Sequence, residues 1–236
     1  MKRFWDSAAH AAQPGGGFGV LLDSRPVRLP SGTPLLVASQ ALAEAIAAEW
    51  NAAGGAKGGE MSMEDVPLTR LAGTAQERLA VNAAAQIEGL AKFAETDLLC
   101  YRAEDGKLAE RQAAEWQPLL DWAALQLDAP LRVTAGLMPV VQPAEALAAL
   151  HRAVAACTAL ELAALGLLVP AMGSLVLALA VLHGRVDAAE AHALSTMDET
   201  FQEEFWGTDP ASENKRARGA ADVALAARLL ALSREG

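Results

Sequence analysis

The feature that most constrains the fold is the stretch from Leu162 to Leu182, LAALGLLVPAMGSLVLALAVL, 21 residues without a charged side chain. A run of that length meets the criterion for a membrane-spanning helix. Its interior argues otherwise. Pro170 stands near its centre, where proline removes a backbone donor and crowds the preceding turn, and Gly166 and Gly173 weaken the same region. No cluster of Lys or Arg flanks it: Glu161 lies on one side, His183 and Arg185 on the other. The expectation is a buried hairpin of two shorter helices, broken near Val169-Pro170 and forming the core.

A chain of 236 residues can build such a core without disulfides or a structural metal, since a globule of this size buries roughly 70–75% of its unfolded surface. The composition is 53% hydrophobic but only 5% aromatic, with alanine prominent, which favours helix. The formal charge of −10 argues against nucleic acid and anionic lipid as partners. The one basic cluster, Lys215-Arg216-Ala217-Arg218, reads as a solvated turn before the last helix. Cys100 and Cys157 stand far apart among apolar neighbours, which suits buried free thiols in a reducing compartment. The opening MKRFWDSAAHAAQPGGG has neither the apolar core of a secretory signal nor the arginines of a transit peptide.

The first part of the chain is organised differently from the rest. Short apolar runs at 18–23, 27–29 and 35–37, punctuated by Gly, Pro and Ser, predict a β-meander. Ser39 caps a helix to about Asn51, striped by Leu42, Ile46 and Trp50 and ended by Gly54-Gly55. Glu60 to Met63 is a further candidate strand. From Leu68 the pattern is helical, with Leu79, Ala83, Ile87, Leu90 and Ala94 at helical steps. Lys107 to Gln126 predicts a helix that Pro118 kinks or restarts. Leu131 to Thr134 reads as a strand, and helices run from Ala144 to the end. The expected fold class is α+β: a small β-containing N-terminal domain, residues 1–70, then a larger all-α orthogonal helical bundle, residues 71–236.

Catalytic equipment is sparse. Gly15-Gly16-Gly17-Phe18-Gly19 lacks the third glycine of a dinucleotide fingerprint, and Gly54 to Gly59 lacks the Gly-Lys-Ser/Thr order of a phosphate loop. The histidines at 10, 151, 183 and 192 show no ligand spacing, and Ser174 sits in no nucleophile elbow. No cofactor or metal is expected.

One segment mixes charge with aromatics: Met197 to Gly207, MDETFQEEFWG. At 100° per residue, Leu194, Met197, Phe201 and Phe205 share an apolar stripe directed at the core. Glu199, Gln202, Glu203 and Trp206 share the opposite face. A tryptophan beside carboxylates there is an anchor for a protein partner, with the carboxylates receiving its Arg or Lys. The bland alternative is that Trp206 covers the helix end at a C-cap glycine, Gly207. The sharper alternative is a small carboxylate-dependent hydrolase using Glu199 and Glu203, one turn apart.

These residues also carry a family likeness. Leu22-Asp23-Ser24-Arg25-Pro26-Val27, Ala48-Glu49-Trp50, Pro67-Leu68-Thr69-Arg70-Leu71-Ala72 and Asp97-Leu98-Leu99-Cys100-Tyr101-Arg102 recur in order with Gln112, Trp116 to Trp122, Ser174-Leu175-Val176, Asp198-Glu199, Gln202 and Trp206-Gly207. Over nearly its whole length the chain resembles the assembly chaperones for the alpha subunit of the F-type ATP synthase catalytic head. The resemblance implies two domains, and a soluble chaperone that holds the alpha subunit until the beta subunit replaces it, without ATP hydrolysis. It places the family's Glu-x-x-Gln-x-x-x-Trp-Gly signature on Glu199, Gln202, Trp206 and Gly207. Position 203 is Glu where the family often has an apolar residue, and Phe205 stands where a basic one is common. Without a presequence, a bacterial cytoplasm is expected, the eukaryotic relatives working in the mitochondrial matrix.

Overall fold

Three consecutive glycines begin the architecture. In the computed structural model, which describes residues 1–104, 106–136 and 138–235, the turn Gln13–Gly17 joins strand β1 (Ala8–Ala12) to β2 (Phe18–Leu22) in antiparallel register, Ala8 opposite Leu22. Gly17 is required there: at φ +73, a Cβ would approach the Val37 carbonyl oxygen to 2.8 Å. A two-residue turn, Asp23-Ser24, with φ 46 and 70, returns the chain along β3 (Arg25–Pro26). The Asp23 carboxylate accepts from the backbone N–H groups of Ser7 and Asp6, which hold its pKa below the usual range. Strand β4 (Leu36–Val37) pairs with the start of β2.

Helix α1 (Gln40–Ala52) follows, its Ser39 cap accepting from the Leu42 N–H as the sequence predicts. Its far end is closed by a device that sequence reading missed. Arg3 is buried and donates to the carbonyls of Asn51, Ala53 and Gly55, placing a cation on orphan C-terminal acceptors. The Trp5 indole donates to the Trp50 carbonyl beside it. Helix α2 (Pro67–Thr74) starts on proline, and the Glu49 carboxylate accepts from its Leu68 N–H. A π-helical turn, Ala75–Leu79, continues α2, closed by the Ala80 N–H on the Ala75 carbonyl. These elements form one unit, Met1–Ala83, together with residues Thr158–Ala164 and the segment from Arg228 onward.

The other unit comprises Ala84–Cys157 and Leu165–Ala227. It holds α3 (Ala84–Ala91), β5 (Tyr101–Arg102), α4 (Gly106–Gln126), β6 (Thr134–Ala135) and α5 (Ala144–Ala155). It also holds most of α6 (Ala159–Met172), then α7 (Leu175–Leu182), α8 (Ala188–Ser195), α9 (Met197–Trp206) and most of α10 (Pro210–Arg234). Strands β5 and β6 form a two-residue parallel ladder, so the expected strand at Leu131–Thr134 survives only at its end.

The apolar stretch resolves into helices α6 and α7, and among the described residues no helix is long and apolar enough to cross a membrane. The expected break at Val169-Pro170 needs correction. Helix α6 runs through Pro170, whose ring removes one donor only, and the Gly173 N–H still reaches the Val169 carbonyl at 2.8 Å. The chain turns at Gly173, φ +64, and restarts at Ser174. Ser174 Oγ accepts from the Leu177 N–H and donates to the Asp97 carboxylate at 2.7 Å. Asp97 is fully buried and also accepts from the Leu99 and Val176 N–H groups; burial nevertheless pushes its pKa up. Every residue of α7 is buried.

Other expectations shift in detail. Pro118 does not interrupt α4. The helical pattern from Leu79 to Ala94 breaks between Leu79 and Ala84. Val27–Leu29 is not a strand: Arg28 makes an isolated bridge to Pro34. Glu60 bridges Lys2, while Met63 opens a short 3-10 turn. Cys100 is buried, its thiol pushed up to about 12 by burial and by Asp97, but Cys157 is only half-buried.

Candidate functional site

Helix α9 is held by the elements beside it. Thr196 precedes it, Asp198 and Glu199 lie in its first turn where the helix dipole favours them, and Gly207 at φ +80 ends it. Leu194, Met197 and Phe201 are buried as the helical stripe requires. The Trp116 indole of α4 donates to the Leu194 carbonyl at 3.1 Å, and Gln112 donates to Asp198 Oδ1 at 2.7 Å. The Arg111 guanidinium lies 5.2 Å from the Phe201 ring centre and bonds Glu204 at 2.6 Å. That bond keeps the Glu204 carboxyl below the usual range.

The opposite face is only partly open to water: its two carboxylates are tied to α10, while Gln202 and Trp206 are exposed. Glu199 accepts from Lys215 at 3.0 Å, and Glu203 pairs with Arg216. Glu199 keeps 42% of its side-chain surface, but Glu203 keeps 16%. The basic cluster is therefore not a turn before the last helix; it lies inside α10 and supplies cations to α9. The signal was present in the sequence: Asp209 before Pro210 marks a helix start, and Asp209 accepts from the Ser212 N–H. A groove of about 760 Å³ opens beside these pairs, with His192, Asn214 and Arg218 on its walls.

The end of α9 holds a second correction. Phe205 does not continue the buried stripe: it is 63% exposed, its ring 5.2 Å from that of Phe201. A helical wheel gives direction around the axis but not how far along it the covering elements reach, and at Phe205 the cover has run out. Trp206 is 88% exposed, so it does not cover the helix end. Gln202 is exposed as well. The structure thus gathers Glu199, Gln202, Glu203 and Trp206 on one helix, two of the four tied to α10. All four carboxylates of α9 have partners, and two bare aromatic rings stand at its tip. Among the described residues, no group of three or more His, Cys, Asp and Glu side chains is placed to hold a metal ion. The arrangement is a charge-compensated helix end that presents apolar surface.

Comparison with known proteins agrees with the earlier resemblance. The profile of the ATP12 chaperone protein family matches residues 2–124. Protein atp12, mitochondrial, of Schizosaccharomyces pombe is 26% identical over 227 residues, covering 88% of this chain and 74% of that protein. The crystal structure of Atp12 from Paracoccus denitrificans superposes with a TM-score of 0.91 at 43% identity, over 99% of this chain and 98% of that one. A candidate chaperone from Agrobacterium tumefaciens, Atu1473, gives a TM-score of 0.89 at 36% identity, over 98% and 85%. On the matching profile and on this likeness of fold and sequence, the chain belongs to the ATP12 chaperone family.

Proposed function

We propose that this protein, an ATP synthase assembly chaperone by family, holds the unassembled alpha subunit of the catalytic head until the beta subunit takes its place. The carrying observation is the tip of α9, where Phe205 and Trp206 stand 63% and 88% exposed on a helix fixed by four carboxylate contacts. Large exposed aromatics on a well-held helix are the usual anchors of a protein interface. In this reading Glu199, Gln202, Glu203 and Trp206 form part of the contact, Glu203 by holding the helix and the others by touching the client.

The physical logic is simple. A subunit made for an obligate complex exposes apolar surface that promotes aggregation, and a partner that covers it lowers the free concentration by mass action. Release needs only a competitor of better fit, so no hydrolysis step is required. The likeness to proteins of Paracoccus denitrificans and Agrobacterium tumefaciens supports a bacterial cytoplasm as the place of action. The test is capture of an isolated alpha subunit at moderate salt. Glu199→Gln is expected to leave the circular dichroism spectrum unchanged and to weaken capture; undiminished capture would remove Glu199 from the contact. Failure of the unaltered protein to keep the alpha subunit soluble would overturn the client assignment.

A further inference from the structure

A second surface, in the N-terminal unit, shows the opposite balance of charge from the rest of the molecule. Two adjoining cavities of about 520 and 480 Å³ share Val27, Arg28 and Trp50 as walls. Together they are lined by four arginines, Arg25, Arg28, Arg70 and Arg78, in a chain whose net charge is −10. Arg28 is occupied, donating to the Gly32 carbonyl at 2.6 Å. Among the described residues, the guanidinium groups of Arg25, Arg70 and Arg78 have no hydrogen-bond or ion-pair partner. The one carboxylate in the lining, Glu77, already accepts from the Ser31 N–H at 2.8 Å. Between the arginines the walls are mainly apolar, with Val27, Leu29, Trp50 and Met63 beside Thr69 and Thr74.

Two local features keep this surface open. Gly73 lies in the lining, and a Cβ there would come within 2.9 Å of Leu29 Cδ2, so any larger residue would push into the wall. The π-helical turn Ala75–Leu79 carries Arg78 and Glu77. Such turns cost hydrogen-bond geometry and occur frequently at functional sites, because they re-aim side chains that a regular helix would place elsewhere.

We propose that this double cavity is a docking groove for an extended, acidic polypeptide segment with apolar side chains. The apolar walls take alternate side chains of such a segment, and the unpartnered guanidinium groups take its carboxylates, where planar two-pronged bonding suits arginine. A groove of this kind is distinct from the α9 tip, which offers rings and no free cation. Its occupant is a client segment of opposite charge to the groove, and the chaperone's own net acidity does not repel it once the guanidinium groups are in contact.

The test uses the full chain and a short fluorescein-labelled peptide alternating glutamate with leucine, read by anisotropy. Saturable binding is expected, weakened at least about tenfold by the double variant Arg70→Glu/Arg78→Glu, as removal of close charge partners requires. It should also weaken when lysine replaces glutamate or serine replaces leucine in the peptide. Should the double variant fail to fold, Arg25→Glu in the adjoining cavity reads the same loss on a smaller scale. Absence of saturable binding, equal affinity for the lysine peptide, or binding indifferent to these arginines would overturn the proposal. Displacement of the peptide by an RNA oligonucleotide at equal concentration would assign the groove to nucleic acid instead and overturn it too. Because the probe is a synthetic peptide, the outcome does not depend on the alpha-subunit assignment.

Discussion

Helices α7 and α9 belong to the same unit and put their apolar side chains to different uses. Helix α7 is apolar on every side and buried on every side, and the polar Ser174 that precedes it is sealed with Asp97 at its start. Helix α9 is amphipathic, buries Met197 and Phe201, and leaves Phe205 and Trp206 bare. The difference separates apolar surface that stabilises the fold from apolar surface that is available to a partner. In α7 the transfer of side chains from water contributes to folding. In α9 the same kind of surface stays in water until something covers it.

The comparison can be broken by measurement, from its largest expected effect downward. Leu179→Ala, inside α7, is expected to cost about 3 kcal/mol in urea unfolding, since a buried Leu→Ala change loses transfer energy and leaves a cavity. A loss no larger than that of an exposed residue would show that α7 is less tightly packed than it looks. Ser174→Ala removes the α7 cap and one donor to Asp97, and is expected to cost about 1–2 kcal/mol in the same experiment. Trp206→Ala is expected to shift unfolding by less than about 0.5 kcal/mol, as substitutions of exposed side chains do. It should nevertheless reduce alpha-subunit capture more than Glu199→Gln does. A Trp206→Ala variant that unfolds easily and captures normally would reverse the division between the two helices.

Much of the frame was legible because local chemistry and the fold agree. The Ser39 cap and the stripe of Leu42, Ile46 and Trp50 follow from capping and periodicity alone, and the start of α5 at Ala144 follows the extended residues that end at Pro143. Strand β1 was not legible, since alanines at 8, 9, 11 and 12 carry no strand preference; its place is set by pairing with β2 and by Asn51, whose side chain bonds both the N–H and the carbonyl of Ala8. Arg3 gave no signal because the carbonyls of Asn51, Ala53 and Gly55 that it caps lie about fifty residues away, where only the fold brings them to it. At the candidate site, the exposure of Trp206 followed from its wheel position, whereas Phe205 and the pairing of α9 with Lys215 and Arg216 did not. A wheel describes one helix, and these features depend on where its neighbours begin and end.

The bareness of Trp206 also makes it an optical probe. Trp5 and Trp116 have no accessible surface, Trp50 has 5% and Trp122 is half-buried, so of the five indoles that of Trp206 is the most open to acrylamide in solution. Its emission is expected to the red of that of the buried indoles, because water relaxes around its excited state. Occlusion of the α9 tip should therefore be seen as loss of quenching and a blue shift, and titration of a candidate client needs no added dye.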